Sequence, residues 1–351
     1  MTAALLWFTW CATALLAAAW LTRRLVVWTA ARGILDVPNA RSSHARATPR
    51  GGGLAIVGVV AVAAVVIVCL RPEAWIRVAG GVVPALAVAA VSWLDDIRSL
   101  SNRTRFLVHV GAAVAATWAL GPVTRVDLGT FGALRLAPLA WPLTLLWIVG
   151  LTNAFNFMDG IDGIAGVTAA AAGLALAAAA AACGDGPVAV LSAALAGAAL
   201  GFLTCNWQPA RIFMGDVGSA FCGCILATLP IAGRPDCVPE LVPVAVAALW
   251  PFIFDTSFTL LRRASRGENV FQSHRGHIYQ RLHAAGWTHR AVAGLYGGLA
   301  AGAGAVAAAA LLEPQARAAA DALALAWLLV VPVLLLALVV SAERRAVGVR
   351  V

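Results

Sequence analysis

Long apolar runs separated by short polar segments make up most of this chain. Eleven of the runs approach the roughly 20 residues that an α-helix needs to cross a bilayer: Ala3 to Leu21, Gly53 to Leu70, Val78 to Leu94, Phe106 to Leu120, Leu136 to Leu151, Ile164 to Ala182, Val188 to Cys205, Ala220 to Ala232, Leu241 to Phe258, Ala291 to Leu312 and Ala322 to Val340. The fifth and eighth are short, so ten spans is the alternative count. No soluble domain interrupts them, and residues 1–351 read as a single all-α polytopic membrane domain, with 259–290 as its longest connection.

One polar stretch breaks the pattern from within: Leu151 to Gly163, LTNAFNFMDGIDG. Asn153, Asn156, Asp159 and Asp162 recur at every third position, which in a helix winds them around one side. Gly160 and Gly163 let backbone approach closely or break the helix. A carboxylate at the bilayer centre costs roughly 2.5 to 3.5 kcal/mol. Two acids and two amides at this spacing therefore point to a site facing water, a cation or a phosphate, in preference to a polar interhelical loop.

Composition agrees with the membrane reading. Hydrophobic residues are 62% of the chain and its mean hydropathy is +0.87, well above a soluble enzyme. All 25 basic residues are arginine, and they sit in the short segments between apolar runs, so membrane topology explains the net charge of +9 better than nucleic acid does. Nineteen of those arginines fall in the odd-numbered connections and the C-terminal tail. The positive-inside rule then sets the N-terminus outside and the C-terminus in the cytoplasm. The opening MTAALLWF has no basic segment, and Arg23 and Arg24 follow the first apolar run, the pattern of a retained anchor and not of a cleaved signal peptide. The seven cysteines form no C-x-x-C pair and lie mostly in apolar runs; they read as small core residues, with neither a disulfide nor a zinc site expected.

With this topology every notable polar cluster falls on the cytoplasmic side, which predicts an active site there. The acids Asp95 and Asp96 in WLDDIRSL come first. Adjacent carboxylates about 5 Å apart repel by roughly 3 kcal/mol at an effective dielectric of 20, which favours a bound cation or a shared proton over a merely solvated helix end. In IFMGDVGS, Gly215 and Gly218 flank Asp216 at the head of the next helix, where free N–H groups attract phosphate. Asp255 lies near the cytoplasmic end of the ninth run, either as a further acid of this side or as a partner for Arg262 or Arg263. In SHRGHIYQR, His274, His277 and Gln280 again recur every third residue beside Arg275 and Arg281, a set better suited to a diphosphate or phosphosugar than to zinc. Oxygen-rich acids and amides favour Mg²⁺, with Mn²⁺ as the alternative. NARSSHARATPRGGG, Asn39 to Gly53, is basic and glycine-rich: an ordinary positive-inside loop or a flexible clamp over phosphates.

TPRGGG, DDIRSL, NAFNFMDGIDG, the Asn206 loop with IFMGDVGS, and HRGHIYQR occur in that order between Thr48 and about Arg290. Together they resemble the motifs of the polyprenyl-phosphate N-acetylhexosamine-1-phosphate transferases. The resemblance implies transfer of a phosphosugar from a UDP-N-acetylhexosamine to undecaprenyl phosphate at the bacterial inner membrane, with release of UMP and no nucleic acid partner. A homodimer is a compatible assembly. It further implies that Asp216 is the principal Mg²⁺ ligand, joined by Asp159. Asn153, Asn156, Asp159 and Asp162 would hold nucleotide and diphosphate, with Asp159 and Asp162 also counted as catalytic. Asn206 and Phe213 resemble uridine contacts. Asp95 and Asp96 resemble the pair that activates or positions the lipid phosphate; a phosphate monoester with a second pKa of about 6 hardly needs a base, so positioning is the expectation. His274 and His277 would face the diphosphate or sugar, with Arg275, Gln280, Arg281, Thr48 and Arg50 as substrate contacts.

The preferred mechanism is direct attack of the lipid phosphate on the β-phosphorus, with a covalent phosphosugar on an aspartate as the competitor. The peptidoglycan translocases of this superfamily carry adjacent histidines where this chain has HRGHIYQR. The form here more closely resembles the O-antigen initiating branch, which implies UDP-GlcNAc or 6-deoxy donors such as UDP-FucNAc and UDP-QuiNAc. The peptidoglycan translocase reaction, with a phospho-MurNAc-pentapeptide, is the alternative. An ion-coupled transporter is the rival of another class, but its acids should sit at mid-membrane in repeated halves.

Overall fold

The computed structural model describes residues 3–38, 46–270, 272, 274–312 and 314–348. The basic stretch from Asn39 to Ala45, and Ser273 of the histidine motif, lie outside the described residues. The chain runs α1 (Ala3–Ala31), β1 (Leu35–Asp36), β2 (Thr48–Pro49), α2 (Gly53–Leu70), α3 (Trp75–Arg98), α4 (Asn102–Leu120), β3 (Arg125–Asp127), β4 (Ala133–Arg135), α5 (Ala140–Met158), α6 (Ile164–Ala182), α7 (Gly186–Asn206), α8 (Asp216–Thr228), α9 (Val238–Ser265), α10 (Ile278–Ala284), α11 (His289–Leu312) and α12 (Arg317–Gly348). The eleven predicted spans each correspond to one of these helices, and the seven-residue α10 is the addition. Seven helices, α1, α3, α6, α7, α9, α11 and α12, are long and apolar enough to cross a membrane by length and composition. The fold is an all-α polytopic membrane protein; its strands form only two short antiparallel ribbons, β1 with β2 and β3 with β4.

At 1.5 Å per residue α8 is only about 20 Å long, well short of a bilayer core. Every residue of it from Val217 onward is buried, packed chiefly against α3 and α5, so it meets protein where its neighbours meet lipid and need not match the membrane thickness. Small residues make the tight crossings. Gly197 and Gly201, spaced as G-x-x-x-G on α7, leave no room for a side chain: an added Cβ would lie 2.1 Å from the Cys11 carbonyl oxygen and 2.3 Å from that of Leu15 on α1.

The helices from α1 to α9 alternate in direction, so odd and even members of this set put opposite termini at a given end. One end collects the C-termini of α3, α5 and α7 and the N-termini of α2, α6 and α8; the contacts below tie these together. At the other end Arg77 donates to Asp185 (2.6 Å) and to the Ala232 carbonyl (2.9 Å), and Asp185 accepts the backbone N–H of Arg234 (2.6 Å). There the expectation for the cysteines fails: Cys183 and Cys237 form a disulfide across 54 residues. Their separation hid the pair, because only the packed bundle brings the end of α6 beside the start of α9. Cys205, Cys222 and Cys224 are buried core residues, as expected.

Candidate active site

TPRGGG and IFMGD build the floor of the site by backbone contact. Arg50 pairs with Phe213 in a parallel bridge, Phe213 N–H donates to the Pro49 carbonyl (2.8 Å), and the N–H groups of Gly52 and Gly53 donate to the carbonyls of Phe213 and Met214 (both 2.9 Å). Glycine is required here for proximity. A Cβ on Gly53 would stand 2.2 Å from Gly218 Cα, and one on Gly52 2.6 Å from the Phe202 ring. The described part of the glycine-rich stretch is thus a docked strand end and not a loose clamp. Thr48 is 8% exposed, pairs with Asp36 in the β1–β2 ribbon and donates to the Arg46 carbonyl (3.1 Å), so it holds the floor.

On this floor four elements deliver carboxylates and guanidinium groups to one place. Asp96, its side chain fully buried, accepts the backbone N–H groups of Asp216 and Val217 (both 3.0 Å), the free donors at the start of α8. Gly215, at φ +75°, makes that turn and leaves room for Asp96; a Cβ would lie 2.7 Å from its Oδ2. Arg50 bridges Asp96 (2.9 Å) and Asp216 (3.3 Å). Arg105, in the first turn of α4, reaches Asp95 (2.7 Å), Asp216 (3.1 Å) and Asn156 Oδ1 (3.2 Å). Asn156 donates in turn to Ser219 of α8 (2.9 Å). The paired acids therefore divide their work: Asp96 fixes the head of α8, and Asp95 faces Arg105. Arg105 was legible in the sequence only as a topology-setting cation; no motif marks it, although it lies just beyond DDIRSL, in the first turn of the next helix.

The third-residue spacing of Asn153, Asn156, Asp159 and Asp162 does not form one helical face. α5 ends at Met158, and Asp159 is its C-cap. Burial, with the charges of Asp216 and Asp96 nearby, pushes the Asp159 carboxyl well above its ordinary range. No hydrogen bond or ion pair partners that carboxyl among the described residues. Beyond the break, Asp162 turns away from the acids: it is 9% exposed, accepts the Ala210 N–H (3.1 Å) and lies 3.4 Å from His289 Nδ1. Asn206, 4% exposed, accepts from Gly163 N–H and donates to the Ile212 carbonyl (both 2.9 Å), binding the DGIDG turn to the loop that carries Phe213. Asn153 donates back to the Val149 carbonyl (2.7 Å). Phe213 is half-buried on the site floor.

The histidine motif also departs from a helical face. His277 is the N-cap of α10 and Gln280 its N3 partner, accepting the His277 N–H (3.3 Å), so their spacing is that of a capping box. Asp255 does not pair with Arg262 or Arg263. It accepts the N–H groups of Ile278 (2.8 Å) and Tyr279 (3.0 Å), the Tyr296 hydroxyl (2.6 Å) and His277 Nδ1 (3.3 Å). The His274 and His277 rings lie 4.8 Å apart; His274 Nδ1 accepts the Gly276 N–H (3.0 Å), and burial with the neighbouring His277 and Arg263 charges holds it down to about 4. Arg281 forms a two-point pair with Glu343 (both 2.8 Å), tying α10 to α12, while Arg275 lies exposed in the preceding turn. Tyr279 joins this group to the acid cluster: its hydroxyl donates to the Phe157 carbonyl (3.1 Å) and sits where a Cβ on Gly160 would be, 2.1 Å away.

An all-helical membrane bundle that gathers carboxylates, guanidinium groups and imidazoles at one end defines a membrane enzyme acting on phosphate groups. Residues 78–234 match Glycosyl transferase family 4. The chain is 36% identical over 264 residues to a probable undecaprenyl-phosphate N-acetylglucosaminyl 1-phosphate transferase of Bacillus subtilis (strain 168), covering 74% of this chain and 72% of the relative. It is 31% identical over 296 residues to the decaprenyl-phosphate N-acetylglucosaminephosphotransferase of Mycobacterium tuberculosis (strain ATCC 25618 / H37Rv), covering 74% and 71%. To the phospho-N-acetylmuramoyl-pentapeptide-transferase of Synechococcus sp. (strain JA-3-3Ab) it is 34% identical over 274 residues, covering 74% and 78%. The chain belongs to the polyprenyl-phosphate N-acetylhexosamine-1-phosphate transferase superfamily.

Proposed function

We propose that this protein transfers N-acetylhexosamine 1-phosphate from a UDP-sugar to undecaprenyl phosphate, giving a lipid diphosphate sugar and UMP. The observation that carries the reading is the meeting of Asp95, Asp96 and Asp216 with Arg50 and Arg105 at the end of the bundle where α3 stops and α8 begins. The preferred donors are UDP-GlcNAc and its 6-deoxy relatives, because HRGHIYQR lacks adjacent histidines. The product would begin a surface polysaccharide of the O-antigen type.

The residues fit a magnesium ion. Among the described residues Asp95, Asp96 and Asp216 share Arg50 and Arg105 as ion-pair partners, and the Asp159 carboxyl beside them has none. No three described residues form a ready metal cage. Mg²⁺ seldom uses one, since it takes one or two carboxylates and completes its shell with water and substrate phosphates. Asp216 and Asp159 would hold it, and the ion supplies charge neutralisation for the donor diphosphate. The chain's own groups do the rest. Arg105 and Arg50 stand where anionic oxygens of donor and acceptor must come together, and the buried floor fixes both relative to Asp216. A lipid phosphate oxygen attacks the β-phosphorus, the bond to the α-phosphate oxygen breaks, and UMP leaves in a single displacement.

The acid cluster faces the cytoplasm of the inner membrane in this reading. The arginine bias supports that orientation, and so does the Cys183–Cys237 disulfide at the far end, since disulfides persist in oxidising compartments such as the periplasm. The test is UMP release by purified protein given undecaprenyl phosphate, Mg²⁺ and a panel of UDP-GlcNAc, UDP-FucNAc, UDP-QuiNAc and UDP-MurNAc-pentapeptide. Turnover of a simple UDP-N-acetylhexosamine is expected; preference for the pentapeptide donor would overturn the donor assignment.

A further inference from the structure

We propose that Asp255 is a positioning residue for the transfer, holding His277 with its proton on Nδ1 so that Nε2 is the atom presented to the donor's sugar diphosphate. The proposal rests on the transferase reading and extends it to a residue that no sequence motif marked for catalysis. Asp255 lies on α9 and is fully buried. Its Oδ1 meets His277 Nδ1 at 3.3 Å and accepts the Ile278 N–H at 2.8 Å; its Oδ2 accepts the Tyr279 N–H at 3.0 Å and the Tyr296 hydroxyl at 2.6 Å. Thr259 also donates to Oδ1 (3.2 Å). The carboxylate is thus satisfied by donors that leave it no freedom to turn, and every partner of its Oδ1 must carry a hydrogen. That requirement sets the imidazole tautomer.

Three rings lie close to the imidazole. His274 stands 4.8 Å from it and Tyr279 5.8 Å, with Phe157 at 6.5 Å beside the DGIDG turn. The His277 side chain keeps 6% exposure. His274 is differently placed, since its Nδ1 is occupied by the Gly276 N–H of its own turn. Of the two histidines, His277 is the one that the fold holds rigidly for work on a ligand. Because Asp255 also caps α10, its loss would disturb folding as well as the histidine, and the experiment has to separate the two.

The test is a double-mutant cycle on UMP release from UDP-GlcNAc. Asp255→Asn is expected to lower kcat roughly 10- to 100-fold with a small change in KM, and to have almost no further effect in a His277→Gln background. Tyr296→Phe, which removes another Asp255 partner and leaves Nδ1 alone, is expected to lower the melting temperature while kcat stays within about threefold. An equal loss of kcat from Asp255→Asn in both backgrounds, or a Tyr296→Phe loss as large as that of Asp255→Asn, would overturn the proposal. Selectively ¹⁵N-histidine-labelled wild-type protein gives a readout independent of turnover and of the variants' folding. An Nδ1–H resonance assigned to His277 by its loss in His277→Gln is expected, and protonation on Nε2 alone would overturn the assignment. If wild-type protein turns over no UDP-sugar while that resonance is present, the transferase reading fails and the Asp255–His277 pairing stands.

Discussion

The contact between Gly53 and Gly218 makes Gly53→Ala a sharp probe of how packing sets the site. The new Cβ would lie 2.2 Å from Gly218 Cα, 2.6 Å from its N and 2.9 Å from the Met214 carbonyl oxygen. Carbon atoms pack at about 3.5–4.0 Å, so the two backbones must part by more than roughly 1 Å, and no flexible side chain can absorb the shift. Overpacking of this kind costs about 1–3 kcal/mol, and two unyielding backbones put Gly53→Ala at the upper end. Arg50 lies three residues upstream, held 2.9 Å from Asp96 and 3.3 Å from Asp216. Displacement on that scale breaks the longer contact, and misplacing a reacting group by 1 Å costs on the order of 10²-fold in rate. The assays are thermal melting and UMP release, with Gly58→Ala as the control: Gly58 lies on the same helix and an added Cβ meets nothing within 4 Å. Gly53→Ala that melts and turns over like Gly58→Ala would refute the reasoning.

Further outcomes can be checked on the same protein. Mg²⁺ should raise the wild-type melting temperature and leave that of Asp216→Asn unmoved, and the variant should retain almost no turnover; a full Mg²⁺ response in Asp216→Asn would remove the metal assignment. The ordinary pKa of 6.5 for histidine falls to about 4 at His274, so the unfolded chain binds more protons between those values. The associated stability is complete above about pH 6.5 and is lost as the pH falls toward 4, and His274→Gln should therefore flatten the acid side of the melting curve. Cys183→Ser with Cys237→Ser should destabilise by about 2–4 kcal/mol with little change in kcat, since the bridge lies at the end away from the acids. In intact spheroplasts a membrane-impermeant reductant should open that disulfide; resistance to it in the native membrane, with reduction only after lysis, would contradict the proposed orientation.

Much of the fold could be read from hydropathy, because eleven apolar runs leave few alternatives in a bilayer. The exception in length, α8, is instructive: burial on all sides frees a short helix from the bilayer thickness, and no single-sequence pattern reports such burial. The acid cluster was legible because carboxylates in an apolar chain are costly, so Asp95, Asp96, Asp159 and Asp216 stood out. Their division of labour was not. Asp96 caps a helix 120 residues away, and Asp162 leaves the file of residues it belongs to by spacing because the helix ends at Met158. Arg105 and Asp255 were not read as site residues for a related reason: Arg105 counted only toward topology and Asp255 was given neighbouring arginines as partners, while their real contacts come from other helices.

The central claim is that the whole phosphosugar passes to the lipid at this site, and the fate of a single phosphorus atom tests it most directly. Purified protein would be incubated with Mg²⁺, undecaprenyl phosphate and UDP-GlcNAc carrying ³²P only in the β-phosphate. The account predicts label in the organic-extractable lipid diphosphate sugar and none in the released nucleotide, with formation of both abolished in Asp216→Asn. Label retained in UDP, or released to water as sugar phosphate without need of the lipid, would contradict it.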